Sequence, residues 1–438
     1  MMASKKIRSL RELYQDDPQR ADALLFGRVP HGDRRGFLRG AGLAAMGATL
    51  GAAIPFHRFM PSGLIPVALA ETTEEFVLEG KDGLIVLNDR PINAETPAHL
   101  LDDDVTPTAR HFVRNNGIVP DNTSAEGWKL VIDGEVERPL ELTIEDLKSQ
   151  FEVVEYALQL ECGGNGRAGF NPPAKGNQWT LGAIGNSKWT GVRLKDVLEK
   201  AGVKPSAVYT GHFGADTHLS GDPDKQALSR GMPIEKALDP YNLIAFQQNG
   251  QDLHPLNGAP LRLVVPGWPG SCSQKWLTRI WVRDRKHDGS KMEVPSYSVP
   301  AYPVAPGTDV PEADFVTIHS MPVKSMITSP QSGETLEPGQ KSLALRGHAW
   351  AGDAGITKVE ISNDFGATWS EATLKPLMNP YSWVTFESEV SFPTHGYYEI
   401  WARATDENGI AQPFAAPWNP KGYLNNAMHR IAVMVPRA

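Results

Sequence analysis

The stretch Tyr156-Ala-Leu-Gln-Leu-Glu-Cys-Gly-Gly-Asn-Gly-Arg-Ala-Gly-Phe170 changes character in its middle. Its first half alternates apolar and polar residues, with Tyr156, Leu158 and Leu160 on one side, which predicts a half-buried strand. Its second half is a glycine run that cannot continue a strand and must turn. Cys162 sits at the junction, so the chain delivers a thiol from a strand end into a loop where backbone can approach closely. Arg167 follows five positions on and brings a fixed positive charge toward the sulfur, which favours the thiolate, the form that binds metals. Free cysteine is also among the most buried residue types. From this stretch alone an inert core thiol and a metal ligand both stay open.

Composition removes several classes. The 438-residue chain is long enough for two or three domains, and its 41% hydrophobic and 21% charged residues are ordinary for a globular protein. A net charge of −8 argues against nucleic acid as a partner and is compatible with a basic electron-transfer protein. Two cysteines, Cys162 and Cys272, exclude a disulfide framework and a thiolate-held iron–sulfur cluster. No Cys-x-x-Cys-His occurs, so no c-type haem is expected on this chain. Cys272 reads as a buried thiol.

The N-terminus reads as an address. Asp33-Arg-Arg-Gly-Phe-Leu-Arg39 places two arginines before an aromatic and a leucine, an apolar Gly/Ala-rich stretch runs from Gly40 to Ile54, and Ala68-Leu-Ala70 is a small-x-small cleavage site. Together they predict a twin-arginine signal over residues 1–70, removed on export to the bacterial periplasm. Arg11 to Leu25 has helical character but lies upstream of the signal. The apolar stretch is too short and glycine-rich for a good anchor, and no later stretch is expected to span a membrane.

The Cys162 loop resembles the molybdenum-binding loop of the sulfite oxidase family, in which a Cys-x-Gly-Asn-x-Arg core supplies the protein ligand to the metal. The resemblance recurs in order along the chain. Thr108-Ala-Arg-His-Phe-Val-Arg-Asn-Asn-Gly-Ile-Val-Pro120 is similar to the family stretch whose arginine lines the substrate pocket. Arg114 takes that place, Asn115 follows as a cofactor contact, and Asn116 stands where animal members carry histidine. Leu261-Arg-Leu-Val-Val-Pro-Gly-Trp268 resembles the strand that makes Arg262 a candidate cofactor-phosphate contact. Asn257 again replaces a histidine. Ser271-Cys-Ser-Gln-Lys-Trp-Leu-Thr-Arg279 resembles the stretch in which Lys275 and Ser273 would hold the pterin, and Asp216 matches a further pterin contact. The family places a tyrosine shortly after this strand; Tyr297 is nearest in spacing and Tyr302 is the alternative. Trp418-Asn-Pro-Lys-Gly-Tyr423 resembles a family stretch whose arginine reaches the substrate, with Lys421 at that position: the charge is kept, the planar fork lost.

Local patterns fill in the rest. Thr143 with an acidic residue three positions on starts a short helix. Leu194, Val197 and Leu198 are spaced for a second helix, and Asn249-Gly250 marks a hairpin. Beyond a polar hinge at Asp309 to Phe315, short strands are expected at Leu343–Trp350, Ile356–Ser362, Trp383–Glu387 and Tyr397–Thr405, the pattern of an all-β sandwich. The expected architecture is therefore α+β. A sulfite-oxidase-type mixed α/β molybdopterin domain occupies residues 71–310, and an immunoglobulin-like domain over residues 311–438 is implied by the resemblance to dimerise.

The resemblance implies a molybdenum-molybdopterin, with Cys162 on the metal, and oxidation of sulfite to sulfate. Arg114, Arg167 and Lys421 would form a cationic funnel, each worth about 4 kcal/mol toward an anion at 4 Å and an effective dielectric of 20, before desolvation. Electrons would pass singly to a separate periplasmic cytochrome c. A sulfane dehydrogenase acting on carrier-bound sulfur shares the core and is the alternative. A methionine-sulfoxide reductase is disfavoured by the C-terminal sandwich, and a eukaryotic nitrate reductase by its need for haem and flavin modules. A non-catalytic binding protein on the same scaffold remains the reading from another class.

Overall fold

The computed structural model describes residues Val77 to Arg437. The helix expected over Arg11 to Leu25, the twin-arginine segment, the apolar stretch after it and the cleavage site at Ala68 to Ala70 lie outside the described residues.

The first strands, β1 (Ile85–Asp89), β2 (Ile92–Glu95) and β3 (Val113–Arg114), form a small antiparallel sheet. There follow β4 (Leu130–Gly134), β5 (Leu140–Leu142), α1 (Ile144–Gln150), β6 (Val153–Glu161), β7 (Ile184–Arg193) and α2 (Leu194–Ala201). Then come β8 (Tyr209–Gly214), β9 (Gly231–Pro233), α3 (Ile234–Ala237), β10 (Leu243–Gln248), β11 (Gln251–Asp252), β12 (Arg262–Val264) and β13 (Leu277–Arg283). These strands make two sheets, β11-β10-β7-β6 with β12 also on β10, and β5-β4-β13-β8-β9. One hydrophobic core joins them: Ile132, Ile280 and Val282 come from one sheet, and Val192, Ile244 and Leu263 from the other.

The helices have local causes. Thr143 caps α1 with a reciprocal box, its hydroxyl accepting from the Asp146 amide at 3.0 Å and its own amide donating to the Asp146 carboxylate at 3.0 Å. In α2 the buried residues are Leu194, Val197, Leu198 and Ala201, a single stripe. Gly202 ends that helix at φ 72°, its amide returning to the Leu198 and Glu199 carbonyls. Asn249 and Gly250 both take positive φ, 53° and 74°, between β10 and β11, as a tight hairpin requires. Among the described residues the α part of the expected α+β architecture is only these three helices, and sheet predominates.

A short ladder of β14 (Ser298–Pro300) and β15 (Phe315–Thr317) leads out of this region. Beyond it lie β16 (Lys324–Ser329), β17 (Glu334–Thr335), β18 (Ser342–Trp350), β19 (Ile356–Ser362) and β20 (Ser370–Glu371). The chain finishes with β21 (Thr373–Leu374), β22 (Val384–Ser391), β23 (Gly396–Asp406) and β24 (His429–Val435). They form two sheets, β16-β18-β22-β21 and β17-β24-β23-β19-β20. Leu345 and Phe386 of the first share a core with Ile361, Ile400 and Val433 of the second, so the two sheets pack as a sandwich.

One strand departs from its expected pattern. In β6 only the first half alternates; from Ala157 to Glu161 every residue is buried. The sandwich covers the face that would otherwise meet water. Gln159 donates its side-chain amide to the Ala351 carbonyl at 3.1 Å, and its backbone amide to Tyr381 O at 3.0 Å. At the end of the strand, Glu161 meets Lys324 at 2.6 Å and Trp350 Nε1 at 2.9 Å. The strand that carries Cys162 therefore runs between the two halves of the molecule.

Candidate active site

Cys162 is the first residue after β6 and is buried. Its amide donates to the Ala183 carbonyl at 2.9 Å, and its carbonyl accepts the Asn165 amide at 2.8 Å. Asn165 folds back on the strand, donating to Glu161 Oε1 at 3.0 Å and accepting from the Ala183 amide at 3.1 Å. Gly164 and Gly176 lie against the Arg167 guanidinium, which a Cβ on either would approach within 3 Å, and Gly176 also takes φ 123°, where glycine is favoured. Arg167 donates to the Lys421 carbonyl and to the Asn177 carbonyl, both at 2.8 Å.

Cys162 opens on a cleft with about 650 Å³ of atom-free space, its open mouth included. Arg114, Asn116, Asp216, Asn257, Arg262, Ser273, Lys275 and Tyr297 all line it with Cys162. The sequence motifs scattered from residue 114 to residue 297 thus converge. Asn115 lies beside it, its side-chain carbonyl accepting from Lys275 Nζ. Tyr297 is the tyrosine at the cleft; Tyr302 is half exposed and donates to Asp314 at 2.6 Å. Of the three cations expected to form a funnel, only Arg114 lines the cleft. Arg167 packs behind the glycine loop, and Lys421 meets it through a backbone carbonyl rather than its ammonium.

The cleft is rich in positive charge. Arg114 Nη2 and Lys291 Nζ donate to Asn116 Oδ1 at 2.9 and 2.8 Å, and the Tyr297 hydroxyl reaches the same oxygen at 3.4 Å. Arg262 donates to the Asn257 carbonyl at 2.7 Å and lies over the Trp189 ring at 4.8 Å. Lys81, from the turn before β1, donates to the Thr108 carbonyl at 2.7 Å, to the His111 carbonyl at 3.1 Å and to Asn257 Oδ1. Burial, with repulsion from neighbouring arginines, pushes Lys81 down to about 7, Lys291 to about 8 and Lys275 well below its ordinary value, and burial alone takes Arg262 to about 9. Burial also holds His111 neutral. Asp216 is the carboxylate that lines the cleft; burial raises it to about 6 despite Lys275 and Lys291.

Sequence reasoning missed Lys81, His111, Ser271, Gln274 and Lys291. His111, Ser271 and Gln274 lie inside the same motifs as the residues that were identified. Lys81 and Lys291 carry no motif of their own.

Residues 116–291 match the family of the oxidoreductase molybdopterin binding domain, and residues 316–436 that of the Mo-co oxidoreductase dimerisation domain. The sulfite oxidase of Gallus gallus is 33% identical over 363 residues, covering 80% of this chain and 77% of that protein. The chain belongs to the sulfite oxidase family. The mitochondrial sulfite oxidase of Drosophila melanogaster is 34% identical over 368 residues, 79% of this chain; the chain spans 62% of that relative's length. The nitrate reductase of Ulva prolifera is 32% identical over 83% of the chain and 44% of its own length. Among solved structures, the sulfane dehydrogenase SoxCD from Paracoccus pantotrophus aligns at a TM-score of 0.67 and 29% identity, covering 89% of this chain and 96% of that one.

The molybdopterin domain of the sulfite oxidase family implies a molybdenum-molybdopterin, and the cleft fits one. Asn115 Nδ2, Arg262 Nε, Ser271 Oγ and Gln274 Oε1 are buried without a protein partner. Unpartnered buried polar groups of this kind, donors and the Gln274 acceptor alike, are costly unless a ligand satisfies them. Packed lysines and arginines with a single lining carboxylate call for an anionic ligand, and a phosphate-bearing pterin has that character.

Proposed function

We propose that this chain is a molybdenum-dependent sulfite dehydrogenase, oxidising sulfite to sulfate in the periplasm after twin-arginine export. Sulfite and water yield sulfate, two protons and two electrons. The electrons leave singly to a separate cytochrome c, and the enzyme works as a homodimer through its C-terminal domain. The observation that carries this reading is the cation-lined cleft that opens on Cys162. Arg262, Lys275, Ser271 and Asn115 would hold the phosphate and pterin, with Lys81 reinforcing Asn257, and Cys162 would ligate the metal. Bound there, molybdenum supplies the two-electron redox change and the oxygen-transfer chemistry.

The chain's own residues handle the substrate. Arg114, Lys291 and Tyr297 all point donors at one spot, now taken by Asn116 Oδ1. A small oxyanion that displaces the Asn116 side-chain carbonyl oxygen meets donors that are already oriented toward it. Arg114 is further fixed by Asn93 Oδ1 at 3.3 Å and by the Asn115 carbonyl.

The test is reduction of a cytochrome c, and of ferricyanide as control acceptor, by purified molybdenum-loaded protein on addition of free sulfite. Saturable reduction of both supports the reading, and ferricyanide reduction alone rejects that cytochrome. With molybdenum present and neither acceptor reduced, a sulfane dehydrogenase acting on carrier-bound sulfur becomes the better reading. The likeness to SoxCD over most of both chains favours that second reading.

A further inference from the structure

Two tyrosines stand together at the cysteine loop. Tyr297 and Tyr423 are stacked, with ring centroids 5.6 Å apart and planes 23° apart. The Arg230 guanidinium lies over Tyr297 at 4.9 Å, and that of Arg167 over Tyr423 at 5.2 Å. The order Arg230, Tyr297, Tyr423, Arg167 thus alternates from cation through two rings to cation. Such contacts favour a fixed geometry because each guanidinium prefers the ring face.

Tyr423 is placed with care. It lies on the crossover between β23 and β24, with its amide on Asn419 Oδ1 at 3.0 Å. Its neighbours are bonded to the cysteine loop: the Leu424 amide donates to the Gly163 carbonyl at 3.0 Å, and Asn425 Nδ2 donates to the Gly166 carbonyl at 2.9 Å. A Cβ at Gly163 would lie 3.8 Å from the Tyr423 ring. Gly422 takes φ 58°, and a Cβ there would fall 2.7 Å from Arg167 Cγ, so only glycine brings the crossover this close.

Tyr297 itself is held in an uncommon conformation, φ 46°. A bulky residue stays left-handed only where its surroundings over-determine it. Its hydroxyl reaches the Asn116 oxygen on which Arg114 and Lys291 also converge.

We propose that Tyr423 is a positioning residue for the substrate: stacked between Tyr297 and Arg167, it holds the Tyr297 hydroxyl at the point where a small sulfur oxyanion binds. This rests on the sulfite-oxidising reading, and it assigns the sandwich a part in substrate recognition. Tyr423 acts through Tyr297 and not on the substrate, so its removal weakens binding more than turnover.

The experiment compares molybdenum-loaded wild type with Tyr423→Leu, Tyr423→Phe, Tyr297→Phe and the Tyr297→Phe/Tyr423→Leu pair. It reads molybdenum content, KM and kcat for sulfite with ferricyanide, and sulfate binding by calorimetry. Wild-type turnover tests the sulfite reading by itself; sulfate binding reports on the stack even in its absence. Tyr423→Leu should raise KM and weaken sulfate binding by about tenfold, with kcat changed less and molybdenum retained. Tyr423→Phe keeps the ring and restores most of that loss. In the Tyr297→Phe background, Tyr423→Leu should add little. An unchanged KM and sulfate affinity in Tyr423→Leu, full additivity in the pair, or loss of molybdenum from Tyr423→Leu would each overturn the proposal.

Discussion

Glu161 Oε1 lies 2.6 Å from Lys324 Nζ, and both side chains are shut away from solvent. The pair joins the last residue of the cysteine strand to the first strand of the sandwich. The second carboxylate oxygen is taken by Trp350 Nε1, and Lys324 also donates to the Asn165 carbonyl at 3.2 Å. A buried pair of this kind repays its desolvation only while both partners remain. Lys324→Met, which strands the carboxylate, should lower the unfolding free energy by roughly 3–5 kcal/mol. Adding Glu161→Gln should recover most of it. Denaturant unfolding of both variants checks this; equal losses in the single and double variants would refute the account.

The cleft predicts an unusual dependence on pH. Burial depresses Lys81 from 10.5 to about 7 and Lys291 from 10.5 to about 8. Between these limits the unfolded chain binds more protons than the folded one, so stability rises with pH. The contribution is fully present above the unfolded lysine value and is lost as pH falls through the folded values. Cofactor-free protein should therefore gain thermal stability as pH is raised from about 7 toward 10. A bound polyanion raises the lysine values again, so pyrophosphate should bind more tightly as pH falls and should take up protons. Melting curves with and without pyrophosphate test both signs, and Lys81→Met should flatten both slopes.

Arg262 is buried, lies over Trp189, and keeps Nε without a protein partner. A charged hydrogen bond to phosphate contributes about 1.5–3 kcal/mol. Arg262→Met should weaken cofactor retention by about tenfold to a hundredfold, while the cofactor-free fold loses little, because burial opposes the charge there. Elemental analysis of molybdenum set against melting temperature separates the two effects.

Cys162→Ser exchanges the thiolate for a weak ligand at a position whose backbone is fixed on both sides by Ala183 and Asn165. Sulfite turnover should be abolished with the fold intact. Full activity in a metal-loaded variant would remove Cys162 from the metal site.

The legible part of the site was the part written in local motifs. Arg114, Cys162, Arg262 and Lys275 each sit in a short stretch with its own pattern, and those stretches meet in one cleft. The Thr143 cap and the α2 stripe were legible for the same reason, since a few neighbouring residues determine them. What stayed hidden depended on distance along the chain. Lys81 meets Asn257 across 176 positions, and Lys324 meets Glu161 across 163. Alternation in Tyr156 to Leu160 correctly indicated a strand, but not that a second set of sheets would cover its polar face. Lys421 also sits in a motif, but the contact of its carbonyl with Arg167 spans 254 positions and is not written in that motif.

The amide of Leu424 closes on the carbonyl of Gly163, so the loop that carries the cysteine is completed by residues near the end of the chain. Completion of the cysteine loop is therefore tied to the docking of the segment between β23 and β24, more than 250 positions further along the chain.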